Sequence, residues 1–597
     1  MENYPRFLTA YSILWPSAKQ NTIETEKVST RPRQDGTMNT PKYKITQMDM
    51  EEQEMLQCKM ISSLTKVFAD QEPVGEKFPL SILRGETASC QVAVKSFGDI
   101  RVTAAAPGFR VTVREACQVP VGYACPPDLQ DDDYLRKSPG LYPDLLRPLG
   151  PNGEKERTVG WWTSYWIDAE PEDKTAGGDH TLTVRVTGGE GECFEETVSI
   201  HLVDAALPEQ KLINTEWFHS DCLADYYEVE PLSEAHWAIL EKFIRSAARM
   251  GLNMILTPIF TPALDTVHGG ERTTVQLVDV YVENGAYRFG FDKLERWVTL
   301  CRECGMVYFE MAHLYTQWGS NRAPKIMAAV DGEYKRIFGW DTEGTGEEYR
   351  SFLAAFLPEL AEKLKRLGVA EYCRFHVTDE PSESFLPCYL QEKAQATPYL
   401  EGFKMMDALS EFAFYEQGAV EYPVVATNSG DLHKFLAADM PELWLYYCCG
   451  QTKDVSNRFI AMPSSRPRIL GVQLYRYKVA GFLQWGFNFY NSVLSLKRID
   501  PYKVTDADGA FPAGDPFIVY PGENGEPLES IRYMALRQGF HDLRALQLLE
   551  ELAGRETVEA VIAEGLAEEV TLTNYPRNNA YLHHLRQRVN EEIEKRI

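Results

Sequence analysis

The sequence has no uninterrupted apolar run of about 18 residues, so no membrane-spanning helix is expected. Basic residues are short: 61 Lys and Arg stand against 87 Asp and Glu, a formal net charge of −26. A surface of that sign repels phosphate backbones, so nucleic acid is not an expected partner and a neutral substrate suits it. The opening stretch MENYPRFLTAYSILWPSAKQ lacks a basic start, a long apolar centre and a small-residue cleavage site. Pro5, Arg6 and Pro16 break it, so the expectation is a cytoplasmic protein without a signal peptide. Paired metal-ligand spacing is missing too. The 12 cysteines are scattered, and the CxxC at Cys301–Cys304 has neither a second pair nor matching histidines. Buried free thiols are expected there, with no metal and no cofactor. A last shortage is local: no Asp or Glu occurs from Val455 to Ile499.

What is present is patterned in blocks. Residues 1–60 are polar and weakly patterned, with a helix expected near 49–60. Over 61–208 the period is two: CQVAVKSF, FRVTVREA, HTLTVRVTG and FEETVSIHLVD alternate apolar and polar residues. Short strands at this spacing predict an N-terminal β-sandwich, with 138–149 (SPGLYPDLLRPL) as a long loop and Trp161, Trp162 and Trp166 in its core. Over 209–500 strand-like and helix-like runs alternate, which predicts a central (β/α)8-type catalytic barrel. Gly251, Gly305 and Gly368 stop helices before the next strand. A hairpin turning on Asn284-Gly285 interrupts the second unit, and 388–416 reads as one long helical stretch. Residues 501–597 read as a small, partly helical C-terminal module. The whole is a multidomain α/β and β protein.

Chemistry in such a barrel sits where the strands end. The candidates there are His219 and Asp221 on the first strand, then His313 and Trp318 on the third. The fourth carries Asp379 and Glu380, the fifth Asn428, the sixth Tyr446 and Tyr447, and the seventh Trp485 and Asn488. Acids, amides and large aromatics on one rim suit a sugar. His219 and Asp221 could hold hydroxyls or pair with each other. His313 could bind hydroxyls or be a satisfied strand-end histidine, and Trp318 could stack on a ring or pack its loop. Asn428 could instead cap the next helix, and Asn488 could contact hydroxyls. His376 is expected to support the site from within the barrel.

The stretch FHVTDEPSESF carries the sharpest signal. Pro381 disfavours the helical region for Glu380 and is expected to hold it extended. Most glycosidases need two separated carboxylates. Many barrel hydrolases carry Asn-Glu-Pro on strand four and a second Glu on strand seven. This chain has Asp-Glu-Pro, and the acid-free window covers GFLQWGFNFY, the strand expected to bear a nucleophile. Adjacent acids can still work if the substrate's own 2-acetamido oxygen attacks the anomeric carbon. Asp379 would orient the acetamido N–H. Glu380, with a raised pKa, would protonate the leaving oxygen and then activate water.

HVTDEP, LWLYYCCG, GFLQWG and the tail DPFIVYPG…ESIRYMALRQGFHDLRALQLL resemble glycoside hydrolase family 123 and its relatives, and GLYPDLL and WWTSYWIDAEP resemble the N-terminal sandwich of that group. The resemblance covers roughly residues 60–560. It implies a retaining, substrate-assisted β-N-acetylgalactosaminidase acting on a glycan with a terminal N-acetylhexosamine. It also implies that Tyr447 contacts the acetamido carbonyl and Trp485 walls the pocket. The long third loop, MAHLYTQWGSNRAPKI, departs from the family pattern and points to a different linkage or aglycone. Two other readings stand beside it. One is a two-carboxylate β-glycosidase on a non-acetamido sugar, with Asp221 or Asp265 as the second acid. The other is a non-catalytic glycan-binding protein.

Overall fold

The computed structural model describes residues 56–150, 153–189, 191–438 and 440–597. Most of the expected lead-in lies outside the described residues. The described end of the helix expected near 49–60 is a strand instead, Gln57–Ser62, paired antiparallel with Ala88–Lys95. Met60 and Ile61 feed two different apolar clusters on its two faces, and that burial decides the local structure.

Two five-stranded sheets precede the barrel. One runs Gln57–Ser62, Ala88–Lys95, Thr163–Pro171, Phe109–Val121, Gly140–Pro148, and the other runs Leu80–Arg84, Cys193–Ala206, Gly178–Gly188, Phe97–Ala105, Glu154–Val159. Alternate residues of both sheets, among them Val92, Ile167, Val184 and Ile200, share one apolar cluster. The segment expected as a long loop is largely the edge strand Gly140–Pro148. Its Pro143 and Pro148 suggest a loop, yet edge strands tolerate proline. Trp166 and Trp162 are buried, but Trp161 is 60% exposed and is no core residue.

Eight short parallel strands close the barrel. They are β1 (Ile213–Glu216), β2 (Met254–Thr257), β3 (Tyr308–Met311), β4 (Cys373–Phe375), β5 (Lys404–Ala408), β6 (Tyr422–Ala426), β7 (Trp444–Tyr446) and β8 (Gly481–Gln484). Strand β5 lies inside the stretch expected to be helical. The helix Leu386–Ala396 ends before it, and five residues (KMMDA) are too short to display a period of two. The candidates assigned to strands five, six and seven therefore follow β6, β7 and β8. Gly251, Gly305 and Gly368 adopt positive φ at helix ends as expected, and the hairpin turns on Asn284 (φ 50°) and Gly285 (φ 78°).

The helix Ile531–Ala553 follows β8 and packs on Ser465–Arg476, the helix after β7. It stands as the eighth outer helix of the barrel, although it lies in the stretch assigned from sequence to the C-terminal module. The two helices meet backbone to backbone at glycines. A Cβ on Gly471 would lie 1.8 Å from the Gly539 carbonyl oxygen, and one on Gly539 would lie 2.7 Å from that of Arg468. Gly471→Ala must push the helices apart and is expected to cost about 2 kcal/mol or more, read as a lower urea midpoint at unchanged slope. The same helix is tied to the edge strand by a buried ion pair. Arg532 donates from Nε and Nη2 to the two Asp144 oxygens at 2.8 Å, and the Tyr520 hydroxyl adds a third donor at 2.7 Å. Among the described residues no helix is long and apolar enough to cross a membrane.

Candidate active site

Beyond β4 the chain leaves the ladder but stays pinned to the loop after β3. Leu314 N donates to the His376 carbonyl, Tyr315 N to that of Val377 at 2.9 Å, and Trp318 N to that of Asp379 at 2.6 Å. The Thr378 hydroxyl donates to the Thr316 carbonyl at 2.5 Å. Asp379 and Glu380 are thereby presented at the carboxyl end of the barrel. Glu380 is not extended as expected: its φ is +42°. Pro381 disfavours the right-handed helical region, and the chain takes a positive φ, a strained choice for glutamate of a kind that clusters at functional sites. The Tyr446 hydroxyl, at the end of β7, donates to Glu380 Oε1 at 2.8 Å.

Asp379 is buried and Glu380 half-buried. Burial raises the pKa of Asp379 well above the carboxylate range, and the Glu380 charge raises it further, while His376 pulls it down. Burial also raises Glu380, against the Tyr446 hydrogen bond. Two buried carboxylates that feel each other hold a proton between them more readily than two exposed ones.

Beneath the pair lies His376, fully buried. Its Nε2 faces Glu310 Oε1 at 2.7 Å and its Nδ1 faces Asp407 Oδ1 at 3.3 Å. Glu310 also accepts from the Thr215 hydroxyl and the Trp217 indole, and Asp407 from Val377 N and the Tyr389 hydroxyl. Burial alone would lower the His376 pKa, but these carboxylates outweigh it and lift it to about 10. Burial pushes Asp407 upward, which taken alone favours a neutral pair. The hydrogen bonds and charge of His376, with the Tyr389 hydroxyl and the Val377 N–H, oppose that rise. His313 stacks on His376 with centroids 4.3 Å apart, and neither of its ring nitrogens has a partner among the described residues. His313, His376 and Asp407 could offer ligand atoms within 4.8 Å of one another. Both His376 nitrogens already face carboxylates, so the group reads as a hydrogen-bond network and not a metal centre.

The remaining candidates divide. His219 and Asp221 are bound by Arg272 and not by each other. Arg272 donates to both Asp221 oxygens at 2.8 Å and to His219 Nδ1 at 3.0 Å, while His219 Nε2 donates to the Trp485 carbonyl. Burial and the Arg272 charge lower the His219 pKa to about 3, so the ring is neutral. Asn488 is buried with both amide ends on the His219 backbone. All three side chains are buried and held by these partners. Asn428 is exposed, accepts from Gln451 at 2.7 Å, and caps no helix: Asp431 occupies the cap position of the next one. Trp318 is half-buried, with φ 58°, next to Asp379. Tyr446 and Tyr447 face opposite ways, as strand neighbours must. Tyr446 joins the cluster inside the barrel, whereas Tyr447 is fully buried in the core outside it, its ring 4.9 Å from Phe482. The tyrosine that reaches the acids is therefore Tyr446, one residue from the position implied for the carbonyl contact.

Trp485 is half-buried after β8, and its indole donates to Asp515 at 2.8 Å. Asp515 also accepts from Gln484 and is fully buried, which pushes its pKa up to about 7. It reaches the acid-free strand from a later loop, a position no local pattern reveals. Asp265, likewise pushed up to about 7 by burial, accepts from Leu494 N at 3.0 Å, adopts φ +42°, and feels the charge of Asp515. The described cysteines, Cys301 and Cys304 included, are free.

The family model described as "Glycoside hydrolase 123, catalytic domain" matches residues 217–549. A family 123 glycoside hydrolase from Clostridium perfringens, solved in a study of glycolipid glycan hydrolysis, superposes with a TM-score of 0.68. It is 14% identical over 91% of this chain and 98% of its own. A family 39 glycoside hydrolase from Bacteroides cellulosilyticus aligns over 78% of this chain and 83% of its own, at 12% identity and a TM-score of 0.32. No curated protein matches the chain in sequence. The eight-stranded parallel barrel, the acids at the end of β4 and a family match over more than half the sequence agree: the chain belongs to glycoside hydrolase family 123.

Proposed function

We propose that this chain is a retaining, exo-acting glycosidase that releases terminal β-linked N-acetylgalactosamine, or a related N-acetylhexosamine, by substrate-assisted catalysis. One observation carries the reading: the two acids available at the end of β4 are adjacent, one buried and one half-buried, with the Glu380 charge acting on Asp379, while the acid that reaches β8, Asp515, is used up on Trp485 and Gln484. Asp379 accepts the acetamido N–H and turns its oxygen toward the anomeric carbon. That hydrogen bond holds the negative charge on Asp379 and leaves the shared proton on Glu380, which donates it to the leaving oxygen. An oxazolinium-type intermediate forms, and Glu380 then takes a proton from the attacking water. Tyr446 orients Glu380, Trp485 and Trp318 offer aromatic faces to the ring, and His219, Asp221 and Asn488 act through the loops they hold. The natural substrate class proposed is a glycolipid or related glycoconjugate glycan, in line with the C. perfringens relative. The layout that supports this chemistry is the N-terminal pair of sheets as a sandwich, the barrel, and the helical C-terminal segment as a brace. No cofactor takes part.

Asp265 gives the two-carboxylate reading its one specific support, because it is a half-buried acid that contributes to the electrostatics of Asp379. A panel of aryl β-glycosides separates the readings. Turnover of the GalNAc or GlcNAc compound should exceed that of its 2-hydroxy analogue (Gal or Glc) by at least about 100-fold. Equal rates across the pair would favour Asp265 as a second acid, and no turnover at all would favour glycan binding.

A further inference from the structure

We propose that His376 is a permanently charged positioning residue: an imidazolium clamped between Glu310 and Asp407 that opposes protonation of Asp379 in its buried site. The inference rests on the reading of Asp379 as the carboxylate that orients the acetamide, and it starts from geometry. A neutral imidazole has one donor and one acceptor nitrogen, and here both nitrogens face carboxylate oxygens, at 2.7 and 3.3 Å. The oxygens that face His376, Glu310 Oε1 and Asp407 Oδ1, each already accept from a group that can only donate, the Trp217 indole and the Val377 N–H. Glu310 accepts from the Trp217 indole and the Thr215 hydroxyl, and Asp407 from the Val377 backbone N–H and the Tyr389 hydroxyl. The indole and amide can only donate, so ionised acceptors and a doubly protonated ring satisfy every contact. The ring is fully buried, and such a cation persists only when paired. It is paired twice.

The charged groups around it come from four elements. Glu310 lies on β3, with His313 on the loop beyond it; Asp407 lies on β5; Tyr389 stands on the helix Leu386–Ala396; and Asp379 and Glu380 share the segment of His376 itself. His313 lies over the imidazolium as a neutral ring, its own pKa held well below the ordinary value by burial and by the His376 charge. Without a cation below them, Asp379 would face Glu380, Asp407 and Asp265 unopposed, and all three charges raise it. The His376 charge opposes that rise. The network thus offsets part of the rise that burial and the neighbouring acids impose on Asp379.

The sign follows. Removing the cation raises the pKa of Asp379, so the acidic limb of kcat/KM against pH moves to higher pH. His376→Gln is expected to move it by about one unit or more on an aryl 2-acetamido-β-glycoside, while melting stays cooperative. A second measurement needs no variant. Nitrogen-15 NMR of the histidine-labelled wild type should show a ring protonated on both nitrogens throughout about pH 6 to 8. A folded His376→Gln enzyme with a lower rate and an unmoved acidic limb overturns the proposal, as does a neutral His376 ring at neutral pH. Failure of the underlying function looks different: Asp379→Asn would then leave turnover of the acetamido substrate intact, whatever the NMR of His376 shows.

Discussion

Replacing Glu380 by Gln is expected to lower kcat/KM about 1000-fold on an oligosaccharide whose leaving group needs protonation. The change preserves shape, and a Gln oxygen can still accept from Tyr446, so the fold and the rim stay in place. What is lost is the proton. The loss should depend on the leaving group. A dinitrophenyl glycoside departs without help, so formation of the intermediate is nearly spared and only the water-activating step suffers. The ratio of the two losses, measured as kcat/KM on both substrates, should be at least about tenfold. Equal and small losses would remove Glu380 from the role of acid.

Asp379→Asn should be nearly as severe, at about 100- to 1000-fold in kcat on the acetamido substrate. The amide cannot stabilise the charge that develops on the acetamido nitrogen as the oxazolinium ring closes. The loss should fall on the acetamido substrate and spare residual hydrolysis of the 2-hydroxy analogue. The pH profile supplies a second signature. Burial and the Glu380 charge raise Asp379, so wild-type activity should fall as pH drops through a limb above the ordinary carboxylate range. In Asp379→Asn that limb should vanish, because the group that titrates is gone.

Periodicity made most of the architecture readable. Alternation identified strands such as Ala88–Lys95 and Gly178–Gly188, and the Asn284-Gly285 turn located its hairpin from two residues. Strand β5 escaped because five residues between two helices carry too little pattern. The edge strand Gly140–Pro148 escaped because its prolines mimic a loop. At the site, Asp379 and Glu380 stood out by their adjacency and the following proline, yet the positive φ of Glu380 did not, since a pre-proline residue is ordinarily extended. Choosing between Tyr446 and Tyr447 needs the register of β7, and a one-residue error there reverses the face. Arg272 and Asp515 were illegible because they act across 51 and 30 residues of chain, joined to Asp221 and Trp485 only by the closed barrel.

The central claim is that the substrate's acetamido oxygen, steered by Asp379, performs the attack. Its most direct test is kcat/KM for a series of aryl β-glycosides whose acetamide carries zero, one, two and three fluorines. Each fluorine weakens the oxygen as a nucleophile while barely changing its size. The account predicts a monotonic fall of several orders of magnitude across the series. A flat series, joined by a glycosyl ester on Asp265 or another carboxylate in the mass spectrum of the quenched enzyme, would contradict it.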